Sequence, residues 1–138
     1  MDDLPAALYQ QLLDEARAVA ARAWCPHSMF PVGAALLTRD GRILPGCNVE
    51  NASFGLTNCA ERSALFAAVS QGVGRESLRA LLVYAPGVPV ISPCGACRQV
   101  MLELMPPECP VYCVGHDPSA SRAWTVAELL PGAFVFPE

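Results

Sequence analysis

Two short segments, Cys59-Ala60-Glu61-Arg62 and Pro93-Cys94-Gly95-Ala96-Cys97, constrain this chain more than any other stretch. They carry three thiols and one carboxylate in a C-x-E … P-C-x-x-C pattern, the second cysteine 35 positions after the first. Cys94 and Cys97 stand at i and i+3 of what reads as a helix start, so both sulfurs share a face and aim at one point. Cys59 and Glu61 are two apart, which inside a helix would turn them away from each other. At a helix start the first residue is only half helical, so both can face one cavity. Three thiolates with a carboxylate to spare describe a catalytic zinc: three protein ligands, an open fourth position for water and a base beside it. The spacing leaves two other readings open. One is a structural four-cysteine zinc, with a fourth thiol from Cys25, Cys47, Cys109 or Cys113; the other is a thioredoxin-like redox pair.

Charge and composition exclude several chemistries. The net charge is −4, and all nine basic residues are arginines scattered along the chain. A polynucleotide partner demands a basic footprint, which is missing. Schiff-base and pyridoxal-phosphate chemistry need a lysine amine, and a P-loop needs a lysine for its phosphates. Seven cysteines, an odd number, with no basic, apolar leader ahead of them, favour metal binding over a disulfide framework. No apolar run approaches the ~20 residues that span a bilayer. The expected location is therefore the cytoplasm. The 53% hydrophobic content against 16% charged is apolar for a small monomer and points to surface covered by other subunits.

Periodicity supplies the frame for one domain over residues 1–138. Leu4, Leu8, Leu12, Ala16, Val19 and Ala23 form a helical stripe, with Pro5 in the first turn and Asp2 and Asp3 at the positive end of the dipole. Residues 32–38 and 43–50 read as strands joined by the turn Arg39-Asp40-Gly41-Arg42. Residues 59–70 read as a helix apolar nearly all round, hence deeply buried. A buried strand at 78–84 and a Pro/Gly-rich loop at 85–93 lead to a helix over 94–105, which Pro106-Pro107 ends. A strand at 111–114, an edge strand at 122–125 and a helical turn at 126–130 complete the chain. The expectation is a three-layer α/β/α sandwich around a mixed sheet of about five strands, antiparallel at the hairpin and parallel through the later helical crossovers.

Longer stretches narrow the reading. Pro31-Val32-Gly33-Ala34-Ala35-Leu36, Gly46-Cys47-Asn48-Val49-Glu50-Asn51-Ala52-Ser53 and Cys97-Arg98-Gln99-Val100, together with both cysteine segments, closely resemble the small homotetrameric cytidine deaminases whose zinc ligands are all cysteines. The resemblance runs from about Ala16 to Phe134. It implies one zinc per chain on Cys59, Cys94 and Cys97, and hydrolysis of cytidine and 2′-deoxycytidine to uridine and 2′-deoxyuridine, as in pyrimidine salvage. Zinc-bound hydroxide would attack C4 while Glu61 shuttles protons. A zinc on three thiolates carries a net negative charge that something must offset, and Arg62 is the neighbouring cation, with Gln99 a further candidate to orient a ligand sulfur.

The resemblance also assigns the substrate. It implies that Phe30 packs on the pyrimidine, that Asn48 and Glu50 bond the ribose hydroxyls, and that Ala60 lines the pocket. It implies too that Phe134 is the aromatic that reaches in from a neighbouring subunit. His27 and Phe54 stand where relatives usually carry Tyr. His116, with Gly115, Asp117 and Pro118, reads as a solvent-exposed turn residue. Three competitors remain: a blasticidin-type deaminase, which lacks a segment like Asn48–Ala52; a polynucleotide or tRNA deaminase, which the net charge of −4 disfavours; and a non-enzymatic structural-zinc module.

Overall fold

The computed structural model describes residues 4–137. Its elements run α1 (Ala6–Ala20), β1 (Gly33–Thr38), β2 (Ile43–Cys47), α2 (Ala60–Ser70), β3 (Leu78–Tyr84), α3 (Gly95–Leu104), β4 (Pro110–Val114), β5 (Arg122–Thr125) and α4 (Val126–Leu129). One five-stranded sheet has the order β2-β1-β3-β4-β5. Only β3 and β4 pair in parallel; β1 pairs antiparallel with both β2 and β3, and β4 antiparallel with β5. The sheet is thus less parallel than the sequence suggested. The α2 crossover links β2 to β3 with β1 lying between them, so the parallel relation is between strands that do not touch.

Strand alternation divides the core into two layers. Every residue of β1 is buried. Ala34 and Leu36 face one layer with Leu81, Val83, Val111 and Cys113; Ala35 and Leu37 face the other with Ala80, Leu82 and Val114. Helix α1 covers the second layer through Leu12, Leu13 and Ala16, and α2, α3 and α4 cover the first through residues such as Ala64, Leu65, Met101 and Leu129. The three-layer expectation holds. Pro5 proves to be the residue that caps α1 from outside, with φ −53° and ψ 143°, rather than part of its first turn. Asp2 and Asp3 lie outside the described residues.

Two differences bear on the site. Strand β2 ends at Cys47, because the backbone of the next residues turns to other partners: Trp24 donates to the Asn48 carbonyl, and Val49 and Asn58 exchange hydrogen bonds. Helix α2 is not buried all round. Ala60, Glu61, Ala64, Leu65 and Ala68 face inward, while Phe66 and Val69 are 46% and 55% exposed. A helix lying on one face of a sheet buries one stripe only, and apolar residues on the opposite stripe remain outside. The close seating of α2 depends on Gly46, where a Cβ would stand 2.4 Å from the Ala64 backbone nitrogen.

Candidate metal centre and adjoining cavity

The starts of α2 and α3 meet at three sulfurs. Cys59 is the N-cap of α2 and Cys94 the N-cap of α3, both with extended backbone, and neither side chain caps its own helix. Their thiols are therefore turned to each other instead of to backbone N–H groups. The Cys94 and Cys97 sulfurs are 3.5 Å apart, those of Cys59 and Cys94 are 3.9 Å apart, and all three lie within 4.8 Å of one another. Tetrahedral bonds of about 2.3 Å from zinc to sulfur require sulfurs about 3.8 Å apart. The trio fits that ion. Among the described residues no other group of three such side chains is placed to hold a metal, and Cys109 and Cys113 are buried elsewhere in the core. A fourth thiol is thus not supplied.

The electrostatics match. Cys97 donates to Cys59, and the Arg62 guanidinium lies 3.3 Å from the Cys59 sulfur; both lower the Cys59 pKa from its ordinary value. Cys97 is held up in turn, because it shares its proton with an ionised neighbour and is buried. A metal held by Cys59, Cys94 and Cys97 would take the place of that shared proton. Arg62 stays firmly charged, held first by its bond to Cys59. Glu61, at N2 of α2, is 4% exposed, and burial raises its pKa to about 7.

A cavity of about 330 Å³ opens beside the sulfurs. Cys59, Ala60, Glu61 and Cys94 line it together with Ser28, Phe30, Asn48, Glu50 and Asn58, among others. Asn48 is 8% exposed; its Nδ2 donates to the Phe30 carbonyl at 2.9 Å and its Oδ1 accepts from Val32 N–H at 2.8 Å. The Phe30 ring rests against Gly87, where a Cβ would come within 3.0 Å of it. The structure therefore gathers Phe30, Asn48, Glu50, Cys59, Ala60, Glu61, Arg62, Cys94 and Cys97. It does not bring Gln99 to the sulfurs. Gln99 is exposed on α3 and forms no hydrogen bond to them, because two residues beyond Cys97 is more than half a turn round the helix. Phe134 is 69% exposed on the tail after α4, outside this chain's own cavity.

Sequence reasoning missed Arg98. Its Nε donates to the Pro93 carbonyl at 2.8 Å and one terminal nitrogen to the Leu129 carbonyl at 3.0 Å, so it ties the loop before Cys94 to α4. Its signal was faint: an arginine one residue past a ligand, on a chain with few charges.

The comparisons with known proteins agree with this geometry. The family model for the cytidine and deoxycytidylate deaminase zinc-binding region matches residues 7–113. The chain is 51% identical over 125 residues to a cytidine deaminase of Halalkalibacterium halodurans, covering 91% of this chain and 92% of that protein. A cytidine deaminase of Sporosarcina psychrophila is 49% identical over 91% of this chain and 90% of its own length. Among solved structures, the cytidine deaminase of Burkholderia pseudomallei superposes with a TM-score of 0.87 at 45% identity, covering 91% of this chain and 98% of that one. That of Mycobacterium tuberculosis gives 0.78 at 42% identity, over 97% and 100%. A match across most of the chain, in sequence and in fold, places this protein in the cytidine and deoxycytidylate deaminase family.

Proposed function

We propose that this chain hydrolyses cytidine and 2′-deoxycytidine to uridine and 2′-deoxyuridine, releasing ammonia. The observation that carries the reading is a buried carboxyl beside three sulfurs at tetrahedral zinc spacing, in a cavity that other polar groups also line. When bound by Cys59, Cys94 and Cys97, zinc supplies an acidified water as the nucleophile.

The chain's own residues do the rest. Glu61, with a pKa near 7, accepts a proton and returns it at neutral pH. It takes the water's proton, delivers it to ring N3 to make C4 electrophilic, and carries the second proton to the departing ammonia. Arg62 offsets the negative charge of the sulfurs. Phe30 offers its ring to the pyrimidine, Ala60 lines the cavity beside it, Glu50 accepts from a sugar hydroxyl and the Asn48 amide donates to one. Asn48 also pins the backbone on either side of Pro31, so the sugar end is set before substrate arrives.

The assembly is a homotetramer in which Phe134 of one subunit completes a neighbour's site, and its place is the cytoplasm. Exposed apolar side chains on α2 and the tail support the assembly. Among the described residues no helix is long and apolar enough to cross a membrane. The test is a substrate panel on zinc-loaded protein. Cytidine and deoxycytidine release ammonia, and free cytosine and blasticidin barely react, because a site built for a sugar hydroxyl discriminates by as much as ~10⁴-fold against analogues lacking it. Equal turnover of cytosine and cytidine would contradict the nucleoside assignment.

A further inference from the structure

Ser28 has no role in the reading above, yet it lines the nucleoside cavity and also a second cavity of about 320 Å³ that shares Glu50 and Thr57 with it. Its hydroxyl donates to Glu50 Oε2, and its Oγ accepts from the Phe30 N–H at 3.0 Å. The backbone N–H groups of His27 and Ser28 donate to Glu50 Oε1 at 2.9 and 3.1 Å. A carboxylate offers about four acceptor positions. Three are taken, so one remains, on Oε2, for a ligand. The same donors, the Ser28 hydroxyl first, hold the Glu50 carboxyl below its ordinary pKa and keep it an acceptor at neutral pH.

Between Ser28 and Phe30 the backbone is strained. Met29 has φ 56°, the one non-glycine residue with positive φ among the described residues, and its side chain is exposed, so packing does not hold it there. Such a conformation persists only where its surroundings over-determine it. Here the Ser28 hydroxyl bridges Glu50 and the Phe30 N–H on one side, and Asn48 grips the Phe30 carbonyl on the other. Loop and carboxylate are thus set by one hydroxyl.

We propose that Ser28 is a positioning residue for the nucleoside: it aims the single free acceptor of Glu50 at the sugar and locks the loop that presents the Phe30 ring. This rests on the nucleoside-deaminase reading. The hydroxyl takes part in no bond-making step, and its contribution is the same in the bound ground state and the transition state. Its loss therefore belongs in KM rather than kcat.

The experiment uses zinc-loaded protein with cytidine. Ser28→Ala raises KM about tenfold, the cost of one hydrogen bond to a charged group, with kcat and zinc content unchanged. Ser28→Thr, which keeps the hydroxyl that bonds Glu50, restores KM. In a Glu50→Ala background, Ser28→Ala costs less than it does in the wild type, because its route through Glu50 is gone and only its bond from the Phe30 N–H remains. An unchanged KM in Ser28→Ala, a fall in kcat with lost zinc, or the same penalty with and without Glu50 would each overturn the proposal. Wild-type protein that releases no ammonia from cytidine would overturn the deaminase reading itself, and this assignment with it.

Discussion

Arg62 and Cys59 show how one pair of side chains sets the charge of a metal centre. The guanidinium is 3.3 Å from the sulfur, close enough for a charge-assisted bond, and it spreads the negative charge of three thiolates over a cation fixed in the next helical turn. Removing it disfavours the more negative, deprotonated form of the loaded site, so the pKa governing activity must rise. Arg62→Gln is expected to shift the acidic limb of the kcat–pH profile to higher pH while leaving one zinc per chain. An unshifted profile would assign the compensation to the two helix N-termini alone. At this scale the sequence was most legible where chemistry restricts the residue type. Cys59, Glu61, Arg62, Cys94 and Cys97 are found together as their spacing suggested. Ser28 and Arg98 were not legible, because each works through hydrogen bonds to partners remote in sequence, at Glu50 and Leu129. Gln99 looked apt by proximity to Cys97 but falls on the wrong side of its helix.

Two helix starts carry the metal centre, and this makes the centre part of the fold. Cys59 and Cys94 each occupy the position where a serine or aspartate would ordinarily cap the helix, and neither does so. A zinc held by Cys59, Cys94 and Cys97 would join α2 to α3 and offset the charge of the thiolates there. Chelation is expected to lower the unfolding temperature by several degrees and to open Cys59, whose pKa is lowered to about 5, to alkylation at neutral pH. Cys109 and Cys113 stay unmodified, since burial raises their pKa to about 11 and about 12 and keeps them neutral. Mass spectrometry after brief labelling checks this, and alkylation of Cys113 in the folded apoprotein would contradict the core assignment. Periodicity found every one of these elements within a few residues. The antiparallel β1–β2 hairpin and the parallel β3–β4 pair were expected; the antiparallel β1–β3 and β4–β5 pairings were not. A crossover helix suggests parallel neighbours, but β1 intervenes between β2 and β3, and nothing local in β1 records that. Helix α2 misled for a related reason: an apolar sequence shows that a face avoids water, not whether the same chain covers it.

On the scale of the whole molecule, apolar side chains left outside are the main unspent feature. Phe66 and Val69 on α2 and Phe134 and Phe136 on the tail are all exposed, in a chain with only 16% charged residues. Burial of such surface favours association at about 25 cal/mol per Å². The protein is expected to sediment as a homotetramer, and Phe134→Ala to raise KM for cytidine several-fold while leaving the tetramer intact, the loss of one aromatic contact. Monomeric protein with full activity would contradict shared sites. The central claim is that Glu61, beside a zinc on three cysteines, moves the protons of nucleoside deamination. Its most direct test measures zinc content and uridine formation from cytidine side by side in wild type and Glu61→Gln. The account predicts one zinc per chain in both, steady turnover in the wild type, and a loss of at least ~10²- to 10⁴-fold in the variant. Near-normal uridine formation by zinc-loaded Glu61→Gln would contradict it.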